Sequence, residues 1–98
     1  MRGQTRATAP SRELLLANHR FPGPYVIKAF GPASEAFAEG VVAAAVLVVG
    51  ETRATVAQRT SSRGGKVCVT VTVNAFTVDE VIDVYDRIHR VPDLMMLL

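Results

Sequence analysis

Between Lys66 and Ala75 the chain reads Lys-Val-Cys-Val-Thr-Val-Thr-Val-Asn-Ala. This strict two-residue alternation is the pattern of an extended strand with one dry face and one wet face. Val67, Val69, Val71 and Val73 point one way, and Lys66, Cys68, Thr70, Thr72 and Asn74 the other. A strand of this kind needs partners beside it and a layer over its valines, so the chain must build a sheet covered on one face. The polar stretch Ser61-Ser62-Arg63-Gly64-Gly65 before it, with two glycines, is what an antiparallel hairpin requires. The strand it returns from is predicted over Thr52 to Thr60, with Ala54 and Val56 on one face and Arg53, Thr55, Ala57 and Arg59 on the other.

The remaining elements follow from punctuation and periodicity. Ser11 is placed to cap a short helix over Arg12 to His19, with Leu14, Leu15 and Ala17 as docking residues. Phe21-Pro22-Gly23-Pro24 ends that helix, because proline lacks an amide donor and biases its predecessor toward extended geometry. Tyr25 to Phe30 is predicted as the first strand of the main body, stopped by Gly31-Pro32. Ala33 to Val49 is predicted as a helix with Phe37, Val41, Ala44 and Val48 on its inner stripe, broadened by Val42, Val46 and Val49 and stopped at Gly50.

Thr77 followed by Glu80 is a capping box. The helix it opens carries Val78, Val81, Ile82, Tyr85 and Ile88 on one stripe and Asp79, Asp83, Asp86 and Arg90 outside. Asp93 to Leu98 is expected to be a final strand, with one of Met95 and Met96 in the core. The order strand, helix, strand, strand, helix, strand defines an α+β class. It predicts a ferredoxin-like βαββαβ domain, a four-stranded antiparallel sheet with two helices on one face, preceded by the short N-terminal helix. Residues 1–10 lack periodicity and are expected to be a flexible arm, leaving 11–98 as one domain.

Composition narrows the function classes. The 98 residues are 49% hydrophobic and 20% charged with a net charge of +2, a balance that singles out no partner. Charge is instead polarised along the chain: Arg2, Arg6, Arg12, Arg20 and Lys28 face one acid, Glu13, over residues 1–28, whereas residues 77–93 are dominated by Asp79, Glu80, Asp83, Asp86 and Asp93. A single cysteine, Cys68, rules out an internal disulfide and a multi-cysteine zinc site, and fits a reducing cytoplasm. His19 and His89 have no partner at ligand spacing, so no metal is expected, and no cofactor is implied. The longest apolar run, Val41 to Val49, falls far short of the roughly 20 residues of a membrane span. A soluble cytoplasmic protein is therefore expected.

The Phe21-Pro22 lead-in, the strand Tyr25-Val26-Ile27-Lys28-Ala29-Phe30-Gly31, and the turn Ser61-Ser62-Arg63-Gly64 feeding Val69-Thr70-Val71-Thr72-Val73-Asn74-Ala75 resemble the YbeD-like family of small bacterial proteins. The likeness covers about residues 12–98. It implies a ferredoxin-like fold similar to the ACT regulatory domain and, since some members carry a lipoic-acid-binding regulatory label, a ligand-sensing role without catalytic residues. Lys66 and Cys68 stand where that family usually has an aromatic residue and then a serine, which alters any contact made there.

Two sets of candidate ligand-binding residues emerge. Lys28, Arg59, Arg63 and Lys66 can gather at the sheet rim to meet a carboxylate or phosphate; the plainer role is that of edge-strand charges that keep sheet margins soluble. Lys28, Gly31 and Ser34 flank the turn after the first strand, where ACT-like domains contact ligands; the plainer role is a strand-to-helix turn. Cys68 is a candidate thiol beside Lys66, or a small packing residue. The expected function is a non-enzymatic regulatory domain that forms a homodimer and binds a small anionic ligand or a protein partner.

The alternative is an RNA-binding module using the open sheet face and the basic arm. It is disfavoured because the outward side of Lys66 to Asn74 offers no ring on which a base could stack. Catalysis of the acylphosphatase kind needs an arginine in the loop after the first strand, and Gly31-Pro32-Ala33-Ser34 supplies none.

Overall fold

The computed structural model describes residues 9–98. In chain order the elements are α1 (Arg12–Asn18), β1 (Gly23–Pro32), α2 (Glu35–Val49), a 3₁₀ turn (Glu51–Arg53), β2 (Ala54–Thr60), β3 (Lys66–Ala75), α3 (Val78–His89) and β4 (Met96–Leu97). The four strands form one sheet in the order β2-β3-β1-β4 with every neighbouring pair antiparallel. This is the ferredoxin-like arrangement that the element order predicts.

β3 has the predicted bounds and facing. Val67 is 4% exposed, Val69, Val71 and Val73 are fully buried, and Cys68, Thr70 and Thr72 remain half-buried on the other side. β1 pairs with β3 along ten residues from Gly23 opposite Ala75 to Pro32 opposite Lys66. Tyr25, Ile27 and Ala29 therefore share the covered face with the valines. α2 contributes Phe37, Ala38, Val41, Ala44, Ala45 and Val49 to that core, and α3 contributes Val78, Val81, Val84, Tyr85 and Ile88.

Several local expectations are corrected. β1 does not stop before Gly31-Pro32 but runs through both, opposite Val67 and Lys66. Proline is tolerated there because the alternate backbone groups of β1 point toward β4, which pairs only with Ala29 and Phe30 and leaves Pro32 beyond its end. Gly31 is required by packing: a Cβ at this position would lie 2.5 Å from the Phe37 ring. The second strand begins at Ala54, since residues 51–53 coil into the 3₁₀ turn.

The final strand is two residues long, not six, because residues 91–94 are spent on a turn in which Asp93 adopts a φ of 71°. Leu97, opposite Ala29, is the residue that enters the core, whereas both Met95 and Met96 are exposed. In α1 only Leu15 docks, leaving Leu14 and Ala17 in solvent, because a seven-residue helix offers one inward position to the body. In α3 it is Val84 that is fully buried, and Ile82 is half-buried; in α2, Val48 is half-buried. The expected arm falls outside the described residues over 1–8, and Ala9 packs against the core.

A buried polar contact ties the sheet to α3. The Tyr25 and Tyr85 hydroxyls meet at 3.1 Å, and their rings pack edge to face with His19 against the other side of Tyr25. Burial, reinforced by this hydrogen bond, pushes the Tyr85 phenol well above its ordinary pKa, so it stays neutral.

Val71→Asp places an unpaired carboxylate under both helices and is expected to cost on the order of 3 kcal/mol or more. Thr72→Asp, on the open side, leaves the melting temperature within a few degrees of wild type. Gly31→Ala forces the Phe37 ring aside and is expected to cost about 1–3 kcal/mol. Urea or thermal denaturation followed by circular dichroism checks all three; an unperturbed Val71→Asp or Gly31→Ala contradicts the packing described.

Candidate functional site

The face of the sheet opposite the helices is built by cross-strand rows. Arg59, Cys68, Phe30 and Met96 lie side by side across all four strands, and Ala57, Thr70 and Lys28 form the next row. Thr55, Thr72 and Val26 follow, with Lys66 beside Pro32 at the hairpin end. Directly paired residues of an antiparallel sheet project to the same side, so these rows form one surface. Val26 and Met96 are about half exposed and Phe30 is half-buried, giving the surface an apolar centre.

Lys28 projects between Val26 and Phe30 along β1, Arg59 and Lys66 lie on the strands to one side, and Arg63 stands at the tip of the adjoining hairpin. Among the described residues none of these four cations is in an ion pair, and none of the residues that the register puts on this face is acidic. The hairpin itself is tied by Gly64 N–H to Ser61 O at 2.8 Å and by Lys66 N–H to Ser61 Oγ at 3.2 Å. Cys68 sits half-buried between Arg59 and Phe30, its Sγ 3.8 Å from Thr70 Oγ1.

The second candidate set is not brought together. Lys28 is on the open face, Gly31 points under Phe37 on the covered face, and Ser34 caps α2 by accepting the Phe37 N–H at 3.2 Å. Phe30 and Met96, which complete the apolar centre, were not among the sequence candidates. Phe30 carried a signal, as an even-numbered residue of a strand paired with β3, but Met96 depended on the register of β4.

A second concave region lies between α2 and β2, a cleft of about 700 Å³ whose walls include Val42, Val46 and Val67 with Glu35, Glu39 and Glu51 among its lining residues. It exists because α2 leaves β2 largely uncovered. Every residue of β2 after Ala54 is exposed, including Val56 at 37%.

One ionic cluster holds the opposite end of the sheet. Arg53 donates to both carboxylate oxygens of Glu80 at 2.8 and 3.0 Å and to the Asn74 carbonyl at 3.0 Å, with its guanidinium 3.8 Å over the Phe76 ring. Glu80 also accepts the Phe76 N–H at 2.6 Å, while Thr77 Oγ1 caps its backbone N–H at 3.4 Å. The capping box is thus modified: the carboxylate reaches the amide before the cap residue and recruits a distant arginine. The bidentate bond from Arg53, with the Phe76 amide, holds the Glu80 carboxyl below the usual carboxylate range.

Among the described residues no group of three or more His, Cys, Asp or Glu side chains could hold a metal ion. Nor is any of their helices long and apolar enough to cross a membrane. Fold and surface together define a small ferredoxin-like α+β domain with an open, cationic sheet face. Residues 17–98 match the family described as protein of unknown function DUF493, and the chain belongs to that family. A search of curated proteins finds no match to the chain.

Because the Glu80 carboxyl is depressed in the folded state, the stability it contributes is present above the ordinary carboxylate range and is lost as pH falls through its folded value. Glu80→Gln should therefore lower the melting temperature at pH 7 and shrink the loss of stability between pH 6 and pH 3. Melting curves across that window check it; identical pH profiles for the two proteins would contradict the clamp.

Proposed function

We propose that this domain is a non-enzymatic, cytoplasmic regulatory or ligand-sensing module whose open sheet face binds an amphiphilic anion. The class is a carboxylate with an apolar body, of which lipoate is one example, presented either as a free molecule or on a protein partner. The observation that carries this reading is the gathering of Lys28, Arg59 and Lys66, without an acid, on the same face as the apolar Val26, Phe30 and Met96. Cations beside partly exposed apolar side chains attract the carboxylate, and those side chains remove its hydrocarbon from water. The resemblance to regulatory domains supports the same class of ligand.

Thermal-shift titration with lipoate, octanoate and amino acids tests the proposal. A selective ligand at a hundredfold excess over Kd stabilises the folded state by about 2.7 kcal/mol. We expect such a rise for the amphiphilic carboxylates and its loss in an Arg59→Glu, Lys28→Glu double variant. No rise with any of them, or a rise that the double variant retains, overturns the reading.

A further inference from the structure

The layer of helices over the sheet stops short of its outer strand. Val56, Gln58 and Thr60 of β2 lie opposite Val71, Val69 and Val67 of β3, so they project to the helix side together with those valines. The valines are at most 4% exposed, yet all three residues of β2 remain exposed. The cleft of about 700 Å³ between α2 and β2 is the space that a further helix lying beside α2 would fill.

One stripe of α2 forms the inner wall of this cleft. Glu35, Glu39, Val42 and Val46 follow one another at spacings of four, three and four residues, which places them on a single helix face. The stripe is acidic at its start and apolar at its end. Gln58 and Thr60 line the side toward β2, and Glu51, in the turn after α2, adds a third carboxylate. No Lys or Arg is among the lining residues, although the chain as a whole carries a net charge of +2.

Glu35 complements the N-terminal dipole of α2, but Glu39, one turn on, repels it. None of the three carboxylates is in an ion pair among the described residues. Nor do they converge: among the described residues no group of three or more His, Cys, Asp or Glu side chains could hold a metal ion, so these charges are spread along the cleft. A point cation cannot meet them together, and an anion is repelled. Cations spaced along an apolar segment match both the charges and the wall between them.

We propose that the cleft docks a basic amphipathic helix from a partner protein, its apolar stripe against Val42 and Val46 and its Lys or Arg side chains toward Glu35, Glu39 and Glu51. From Glu35 to Val46 the rise along α2 is about 16 Å, which fits a partner segment of about three turns. A helix at an ordinary interaxial distance of about 8–10 Å from α2 continues the helical layer over Val56. Charge complementarity selects the partner, and removal of the two apolar surfaces from water holds it. The inference goes beyond the anion-binding reading, uses other residues and does not depend on it.

Titration calorimetry of the full chain with three synthetic peptides of about 12 residues, all with helical periodicity, tests the proposal. One carries a leucine stripe flanked by lysines, one the same stripe flanked by glutamates, and one the lysines with serine in place of each leucine. We expect saturable one-to-one binding of the Lys/Leu peptide and about tenfold weaker binding, or none, of the other two. Glu39→Lys with Glu51→Lys, both at exposed positions, should weaken binding of the Lys/Leu peptide by about tenfold with an unchanged circular dichroism spectrum. Asp83→Lys with Asp86→Lys makes the same change of charge outside the cleft and should leave the affinity within about twofold. Absence of saturable binding, equal binding of either control peptide, or a loss on α3 as large as that in the cleft would each overturn the proposal. So would a dimer of the chain, seen by light scattering, that Glu39→Lys with Glu51→Lys dissociates, because a second copy would then be the occupant.

Discussion

The ten-residue pairing of β1 with β3 is the constraint on which the rest of the molecule depends. It sets Tyr25, Ile27 and Ala29 beside Val73, Val71 and Val69 and so creates the apolar floor on which α2 and α3 rest. Each fully buried valine or isoleucine contributes about 1.5–3 kcal/mol relative to exposure, a gain that the ordering of backbone and side chains largely offsets. A slip of one residue would turn the valines outward and put Cys68, Thr70 and Thr72 beneath the helices. The register is thus strongly selected, and it decides at the same time which residues face solvent.

Two consequences for function follow from that one pairing. The open face inherits Val26, Lys28 and Phe30 from β1 and Lys66 and Cys68 from β3, which brings residues distant in sequence into one cationic and apolar surface. The outer strand, β2, has no strand beside its outer margin among the described residues.

The Arg53–Glu80 clamp plays a supporting part. It links the turn before β2 to the first turn of α3, so the edge strand is anchored at its start even though few of its side chains are buried. At the other end the strand is held by the hairpin hydrogen bonds of Ser61. The edge strand is thus fixed at both ends, although its side chains after Ala54 are exposed.

Much of this was legible in the residues themselves. The alternation from Lys66 to Ala75, the Ser61 to Gly65 turn, the caps at Ser11 and Thr77 and the stripe of α3 are local signals, and the bounds of β3 were read directly from them. The gathering of Lys28, Arg59 and Lys66 at the sheet needed only the strand order. What could not be read were features whose cause lies elsewhere in the chain. Gly31 looked like a strand stop but is a seat for the Phe37 ring, and Met95 or Met96 looked like core until Ala29 selected Leu97. Glu80 looked like half of a capping box until Arg53 met it from 27 residues away. Side-chain alternation and helical periodicity are covalent geometry, so the sequence alone determined the elements and their faces. Register at the short strands, the close approach at Gly31 and the bare margin of β2 depend on which distant surfaces meet, and only packing in three dimensions decided them.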